Sequence, residues 1–385
     1  MGNLEITGPI NILEFGAMGD GVADDAPVIQ EVINLLAARG GGKIFFPYTP
    51  KGYRIARAAN NKVDGHGCRG QLYIPYQKTL RPNIAFEGEM PCKLLDAYMV
   101  RDGSGTFSAT ALKKTAVNTF LFSDWDAPEE HDQEARPWSL LCGLEGDAGV
   151  GHLGVSQVSI KNLEFRVKLS SDKMYPTMSA VNLQNVSRIN IQDSQFTLDQ
   201  NVGDYNLGLE LQKNPCPTAG LIASGDQNDN NVIRNSSAQG FRFGFVFGEH
   251  VVADYLYVHN NEEAIVFHDC SHQSHIHHVV AQHNQKIVTA AEGNLFGMPA
   301  SGRPVFVQFD SVDFEPGGKR RKPLVSNMMY GVWDPENRIH GNLYYHCGCP
   351  INLDYFPIKG AKYFKCKPLN QDDSLKTELP EELQY

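Results

Sequence analysis

Three stretches of the chain repeat one pattern: GLIASGDQNDNNVIRNSS (220–237), GFVFGEHVVADYLYVHNN (244–261) and AIVFHDCSHQSHIHHVVA (264–281). Each begins with a short apolar run, and a second β-rich run follows 12 residues later, at Val232, Leu256 and Ile276. The units begin 24 and 20 residues apart. A period of roughly 20 to 25 residues with polar turns is typical of a β-solenoid, in which each unit stacks on its neighbours.

Weaker copies of the pattern lie on both sides of these units, as VSIKNLEFRV (158–167), VNLQNVSRINIQDSQF (181–196) and PVFVQFDSVDFEPG (304–317). Asparagine-rich turns recur as NVIRN, VHNN and AQHN. They predict that side-chain amides hydrogen-bond along a stack of turns. A β-sandwich is the alternative, but it would need more two-residue Asn-Gly or Asp-Gly hairpins than the chain contains. The sequence therefore favours an all-β solenoid.

One segment, APVIQEVINLLAARGGG (26–42), has the apolar spacing of an amphipathic helix. Asp24 or Asp25 can cap this helix, Pro27 suits its first turn, and the glycines end it. The preceding stretch FGAMGDGVADDAP (15–27) lacks the Gly-Lys-Ser/Thr of a phosphate loop and the oxygen spacing of a calcium loop. Its aspartates are therefore interpreted as structural, and the helix is expected to cover the open N-terminal end of the solenoid.

Residues 11–55 combine these elements in one order: a strand, FGA-x-GDG-x-x-DD, a helix, a glycine cluster, and a strand with a proline and G-x-Y. This order resembles the N-terminal signature of the pectate-lyase-like right-handed parallel β-helix proteins. That family includes polygalacturonase-like hydrolases, polysaccharide lyases and phage tailspike depolymerases. The resemblance implies a right-handed parallel β-helix with an N-terminal capping helix. It implies no single activity, because proteins of this architecture catalyse several different reactions. The polygalacturonase motifs are also absent from this sequence.

The resemblance and the repeats divide the chain into four parts. Residues 1–57 form the N-terminal strand and capping helix, and residues 58–157 form early coils with loop excursions. The main coils cover residues 158–366, and an acidic tail covers residues 367–385.

Composition narrows the classes of partner. The formal charge of −10 disfavours nucleic acid, which needs a basic patch, and no apolar run is long enough to span a membrane. The first residues lack the features of a secretory signal. The expected location is therefore secreted, periplasmic or virion-associated without its signal in this chain, with the cytoplasm as a further alternative. The expected partner is a polysaccharide or oligosaccharide, and a tailspike would assemble as a homotrimer.

A column of carboxylates is the first candidate for catalysis. Five residues into the repeat units stand Glu249 and Asp269, with Asp226 beside the equivalent glycine. If VFVQFD takes the register of AIVFHD, Asp310 joins them. Successive coils would hold these carboxylates roughly 5 to 10 Å apart, the separation that glycosidases use for an acid and a base. The structural alternative is a solvated acidic rim or a calcium ladder.

Other candidates flank this column. His268 is a candidate acid, base or sugar-hydroxyl ligand. The candidate substrate-binding residues are Arg242, His250, His272, Trp125 and Trp138. Trp125 and Trp138 could stack on sugar rings, although such tryptophans more often fix a loop to the body of a protein. His275 and His277 share one strand face but lack a spaced third ligand, so no metal site is expected.

Three functions are compatible with these features. The favoured one is hydrolysis of glycosidic bonds in a groove along the β-helix, which requires no cofactor. A polysaccharide lyase is the second, in which a base removes the proton α to a uronic acid carboxylate. There calcium would supply the positive charge that an acidic column lacks. The third is a non-catalytic glycan-binding or tailspike protein.

Overall fold

The computed structural model describes residues 8–56, 69–75, 82–90, 119–124, 137–143, 157–168, 178–184, 186–199, 218–224, 230–268, 274–282, 284, 286–290, 294–296, 298–299, 307–315, 343–345, 350–352, 362–363 and 367–369. Within these residues, one helix is present, α1 (Ala26–Ala38), and its 13 residues are too few to cross a membrane.

The remaining elements are strands. They are β1 (Ile10–Asn11), β2 (Gly41–Phe46), β3 (Tyr53–Ile55), β4 (Arg69–Ile74), β5 (Asn83–Gly88), β6 (Thr119–Ser123), β7 (Trp138–Gly143), β8 (Gln157–Lys161), β9 (Leu163–Lys168), β10 (Met178–Asn182), β11 (Ile189–Gln192), β12 (Gln195–Asp199), β13 (Thr218–Ala223), β14 (Asn231–Gln239), β15 (Phe243–Phe247), β16 (Val251–His259), β17 (Glu263–Phe267), β18 (Ser274–Gln282), β19 (Lys286–Ala290), β20 (Asn294–Leu295), β21 (Met298–Pro299), β22 (Val307–Glu315), β23 (Leu343–Tyr345), β24 (Pro350–Asn352), β25 (Lys362–Tyr363) and β26 (Lys367–Leu369).

Two large parallel sheets run along the molecule. Sheet B has the order β4-β7-β10-β13-β15-β17-β19. Sheet A has the order β1-β2-β5-β8-β11-β14-β16-β18-β22-β23-β25, and β3, β6, β9 and β12 form a second limb that joins it at β14. Strands alternate between the sheets along the chain, so each coil pairs with the next coil in both sheets. The chain is therefore a right-handed parallel β-helix, as predicted.

A sharp bend divides sheet A into its two limbs. The bend residue has a left-handed backbone in five successive coils, with φ between 45° and 54°. These stacked residues are Asn162, Asp193, Asn235, Tyr255 and His278. The bend turns the outward side chains of one limb away from those of the other, so that the two limbs and sheet B form three faces.

The predicted spacing of the repeat is confirmed for sheet B, but it is wrong in part for sheet A. Leu221 pairs with Phe245, and Phe245 with Ile265, which are the expected spacings of 24 and 20 residues. In sheet A, however, Val232 pairs with Val252 and not with Leu256. The reason is that the turns between the two sheets differ in length from coil to coil, so a constant offset of 12 residues cannot hold.

The core lies between the sheets and repeats from coil to coil. One column of sheet A places Ile160, Ile191, Ile233, Ala253 and Ile276 at the same inward position, and all five are buried. Phenylalanines fill the second limb, where the rings of Phe165 and Phe196 stack with their centroids 6.1 Å apart. Burial of such stacked apolar columns supplies about 25 cal/mol per Å² of apolar surface removed from water.

Helix α1 covers the N-terminal end of this core, as expected. Its residues Ile29, Val32, Ile33 and Leu36 belong to the main buried cluster, and it packs on the end strands β2 and β4 of both sheets. The aspartates before it are structural. The Asp25 carboxylate accepts hydrogen bonds from the backbone N–H groups of Met18 and Gly19 at 2.6 and 3.1 Å. Asp24 Oδ1 accepts those of Ala26, the first residue of the helix, and Ala56; Asp25 is the N-cap residue and makes no side-chain capping hydrogen bond.

The predicted amide stack is present at VHNN and AQHN. The backbone N–H of Phe241 donates to Asn261 Oδ1 at 2.9 Å, and the backbone N–H of Asn261 donates to Asn284 Oδ1 at 3.0 Å. Both asparagines are buried. Each amide therefore satisfies backbone groups of a neighbouring coil, which fixes where one coil ends and the next begins.

Candidate functional site

The two tyrosines that are exposed among the described residues, Tyr255 and Tyr257, lie at and just after the bend of sheet A. Three neighbouring strands, β14, β16 and β18, contribute outward or bend residues to the surface around them. We call it the corner face; it consists of Arg234, Asn235, Asp254, Tyr255, Tyr257, His259, His275, His277 and His278. The alternation of the strands places these side chains outward because Ala253, Leu256 and Val258 between them are buried.

The rings of the corner face stack in pairs. Tyr255 and His278 occupy the same bend position in adjacent coils, and their ring centroids lie 4.6 Å apart with an interplanar angle of 7°. Tyr257 and His259 lie two residues apart on β16 with centroids 4.6 Å apart. Tyr255 is 60% exposed and Tyr257 is 42% exposed. Each ring of a pair covers one face of its partner, and the remaining face and polar edge of an exposed tyrosine suit the binding of a sugar ring.

A carboxylate, that of Asp254, lies beside one of these ring pairs. Asp254 accepts a hydrogen bond from Nδ1 of His278 at 2.9 Å, and the side chain of Asp254 keeps 25% of its exposure. This contact fixes the orientation of the His278 ring and leaves its Nε2 atom directed elsewhere. The arrangement resembles a general base held by a carboxylate, which is one way in which proteins place histidine for proton transfer.

The register predicted for Asp310 is wrong. Asp310 lies on β22, which pairs with β18 in sheet A, and its backbone partner is His277. His277 in turn pairs with Asp254, and Asp254 with Arg234. Asp310 therefore belongs to a column of the corner face and not to the column of Glu249. The cause is again the variable turn length, because VFVQFD enters sheet A whereas AIVFHD enters sheet B.

The outer side of sheet B is covered where the expected groove would run. A second apolar cluster lies there, on the opposite side of the sheet from the core, and consists of Ala219, Ile222, Phe243, Val246, Val266 and Phe296. Phe296, in the turn between β20 and β21, packs edge to face on Phe243 with centroids 5.8 Å apart. This cover leaves the corner face as the more open surface for a ligand.

The residues predicted around Glu249 lie at the ends of the sheet B strands. Glu249 and His250 are half-buried in the turn between β15 and β16. His268 is 1% exposed, and its Nδ1 atom lies 2.8 Å from Ser224 Oγ. Burial of this ring favours a structural role over direct contact with a sugar.

Two predicted binding residues lie elsewhere. Arg242 precedes β15 and forms an ion pair with Glu262 at 3.3 Å. The length of β15 separates it from Glu249 by about 20 Å, so these two residues do not share a site. Trp138 begins β7, is half-buried and packs against the main core, which favours the structural alternative. The predicted residues Asp226, Asp269, His272 and Trp125 lie outside the described residues.

Sequence reasoning did not single out Asp254, Tyr255, Tyr257 or His259. The pattern that could have indicated them is the segment VADYLYVH (252–259). It alternates buried and outward residues, and the alternation shifts by one residue at the bend. His275 and His277 share a face as predicted, with ring centroids 5.8 Å apart. No group of three or more His, Cys, Asp or Glu side chains placed to hold a metal ion occurs within the residues that the structure describes.

Short segments of the sequence are similar to mannuronan C5-epimerases of Azotobacter vinelandii. The chain is 39% identical to AlgE6 over 90 residues, which are 22% of this chain and 9% of that enzyme. It is 26% identical to AlgE1 over 217 residues, which are 53% of this chain and 13% of that enzyme. The chain thus spans a small part of the length of the curated relatives it matches. No family model matches the sequence.

Solved structures with a similar fold include a double mutant of the tailspike protein of E. coli bacteriophage HK620 in complex with a pentasaccharide. Its TM-score is 0.47 at 9% identity, over 94% of this chain and 62% of that chain. An iota-carrageenase complexed to iota-carrageenan fragments has a TM-score of 0.41 at 11% identity, over 80% of this chain and 54% of that chain. The expected resemblance to the pectate-lyase-like parallel β-helix proteins is confirmed at the level of the fold, which the strand pairing of this chain establishes by itself.

Proposed function

We propose that the protein binds a polysaccharide or oligosaccharide across the corner face and hydrolyses its glycosidic bonds between two carboxyl groups, Asp254 and Asp310. The observation that carries the proposal is the shared column of these two residues, with His277 between them, beside the exposed ring of Tyr255 at the bend. A glycosidase needs two carboxyl groups at its site, and a neighbouring exposed aromatic ring suits the binding of a sugar.

The spacing of the column favours an inverting reaction. Two interstrand steps of about 4.8 Å separate the backbones of Asp254 and Asp310 by about 10 Å, close to the range of about 6.5 to 9.5 Å found between the carboxyl groups of inverting glycosidases. One carboxyl group protonates the glycosidic oxygen as the bond from this oxygen to the anomeric carbon breaks. The other accepts a proton from a water molecule, whose oxygen forms the new bond to that carbon.

The pair predicted from the sequence, Glu249 and Asp269, is the alternative location for the acid and the base. Phe247 pairs with Phe267 in sheet B, two positions before each of these carboxylates. Glu249 is half-buried in the turn after β15. We rank this pair second because the apolar cluster around Phe296 covers the neighbouring face of sheet B.

The names of the relatives support a polysaccharide as substrate. The iota-carrageenase and the tailspike protein are described in complex with carbohydrate, and the epimerases are named for mannuronan. By extension, we propose that this protein works outside the cell or on a virion. Assembly of three chains belongs to the tailspike alternative and stays a prediction.

Proton abstraction from a uronic acid residue is a second candidate, favoured by the contact between Asp254 and His278. A base removes the proton α to the sugar carboxylate, and a cation stabilises the negative charge that develops. Arg234 pairs with Asp254 in the preceding coil and is exposed, so it could supply this charge where the sequence alone suggested calcium. The segments similar to mannuronan epimerases support this candidate as well.

The two chemistries are separated by their products on a panel of neutral and uronic acid polysaccharides. We expect new reducing ends, no unsaturated sugar, and an inverted anomer as the first product seen by NMR. Asp254→Asn and Asp310→Asn should each lower the cleavage rate about a hundredfold to ten-thousandfold, as removal of an acid or base does. Glu31→Gln, an exposed carboxylate on α1, is the matched control and should leave the rate unchanged.

Three results would contradict the proposal. Loss of cleavage in Glu249→Gln and Asp269→Asn, with full activity in Asp254→Asn, would move the chemistry to the alternative pair. Unsaturated products, or epimerised sugars without new reducing ends, would replace hydrolysis by proton abstraction. Binding without any product would make the protein a non-catalytic glycan-binding protein.

A further inference from the structure

One of the five stacked bend residues of sheet A, Tyr255, is of a type that does not suit its left-handed backbone. All five positions are left-handed, and φ is 54° at Tyr255. Asparagine and aspartate tolerate this conformation because their short polar side chains hydrogen-bond locally, and they occupy the three preceding coils. A bulky tyrosine at a positive φ is an outlier, so an asparagine at this position would strain the backbone less.

Packing in the core does not compensate for this strain. The Tyr255 side chain is 60% exposed, and its described ring contact is the stack on His278 at 4.6 Å. His278 is exposed as well, and Asp254 holds it through the 2.9 Å contact with Nδ1. A strained residue whose side chain points into solvent is more often kept for function than for stability.

The two rings stack on each other, so His278 covers one face of the Tyr255 ring and leaves its opposite face for a ligand. They are nearly parallel, at 7°, and belong to adjacent coils. The spacing of coils, about 4.8 Å, is close to the length of one sugar residue in an extended chain. The carboxylate of Asp254, the residue before Tyr255, lies at the edge of the His278 ring, 2.9 Å from its Nδ1 atom, and a carboxylate can accept further hydrogen bonds from sugar hydroxyls.

We propose that Tyr255, supported on one face by His278, forms a stacking subsite for one pyranose ring of the glycan, beside Asp254. This inference rests on the proposed function and adds the residues that anchor the substrate. The apolar C–H face of the sugar covers the exposed tyrosine face, and the sugar hydroxyls remain at the polar edge. Tyr255 is thus a binding residue that positions the glycosidic bond and takes no part in proton transfer.

The test compares Tyr255→Asn, Tyr255→Phe and the control Phe15→Ala, which removes an exposed ring from the N-terminal turn. Affinity for a glycan that the wild-type protein binds is measured by calorimetry, and stability by urea unfolding. We expect Tyr255→Asn to weaken binding about threefold to tenfold with a raised KM and an unchanged kcat, while its unfolding midpoint equals or exceeds that of the wild type. Tyr255→Phe and Phe15→Ala should bind within about twofold of the wild type.

Two outcomes would overturn the inference and leave the proposed function standing. The first is wild-type affinity in Tyr255→Asn together with loss of cleavage in Asp254→Asn. The second is a lower unfolding midpoint in Tyr255→Asn, because the ring would then be kept for packing. A wild-type protein that binds no glycan of the panel would instead remove the proposed function and this inference with it.

Discussion

Asn261 offers the most direct test of how the coils are held in register. This residue is 1% exposed and follows β16, the strand that carries four of the nine corner-face residues. Its Nδ2 atom lies 3.1 Å from the carbonyl oxygens of Ala238 and His259 and from Oδ1 of Asn284. Its Oδ1 atom accepts the backbone N–H of Phe241 at 2.9 Å. Asn261→Ala removes all of these contacts at once.

The expected cost follows from the groups that lose a partner. The N–H of Phe241 becomes a buried donor without its acceptor, which costs about 1 to 3 kcal/mol. The two hydrogens of the amide account for two further bonds with a net value of about 0.5 to 1.5 kcal/mol each. We therefore expect Asn261→Ala to lower the free energy of unfolding by about 2 to 6 kcal/mol.

Urea unfolding followed by circular dichroism measures this change from the shift in midpoint multiplied by the slope. The matched control is Asn260→Gly. Asn260 is half-buried, has a φ of 58° that glycine adopts freely, and contacts the His259 ring. The control should change stability by less than about 0.5 kcal/mol. A cost below about 1 kcal/mol for Asn261→Ala, or an equal cost for both variants, would refute the reasoning.

Two further predictions concern the N-terminal turn and the first coils. Burial raises the pKa of the Asp25 carboxyl group above its ordinary value of 3.8. The folded state therefore keeps this proton to a higher pH than the unfolded state does. As a result, the free energy of unfolding falls as the pH rises from 3.8 through the raised pKa. Asp25→Asn lacks this decline, so the wild type should lose stability relative to the variant between about pH 3 and about pH 6 in urea titrations; a constant difference would contradict this. Gly52 has a φ of +71°, and an added methyl group would meet the ring of Phe120, so Gly52→Ala should cost about 2 to 4 kcal/mol. Gly16→Ala, where no atom lies within 4 Å of the added methyl, should shift the unfolding midpoint less, and equal shifts would show that steric contact with Phe120 contributes nothing.

The corner face shows how a β-helix can vary its outward residues without departing from its core pattern. Ala253, Leu256 and Val258 remain buried in their columns while Asp254, Tyr255 and Tyr257 between them change freely from coil to coil. The bend at Tyr255 adds a position that belongs to neither limb and projects outward. A ligand surface can therefore be built on rigid strands, because the strand pairing depends on the backbone and the inward residues alone.

The sequence by itself determined the architecture and its N-terminal cap. The spacing of Leu221, Phe245 and Ile265 predicted the stacking of sheet B, since side chains at one column must all be apolar to bury a shared core. The local chemistry of Asp24 and Asp25 predicted a turn and a helix start, because such hydrogen bonds reach only a few residues along the chain.

Only the tertiary structure decided where the site residues meet. Three residues connect Phe247 to Val251, whereas six connect Phe267 to Ser274, so distance along the chain does not give the register of sheet A. Strand pairing placed Asp310 in the column of His277 and Asp254, away from Glu249. Hydrogen bonds between coils fix this register, and they join residues that no local pattern relates.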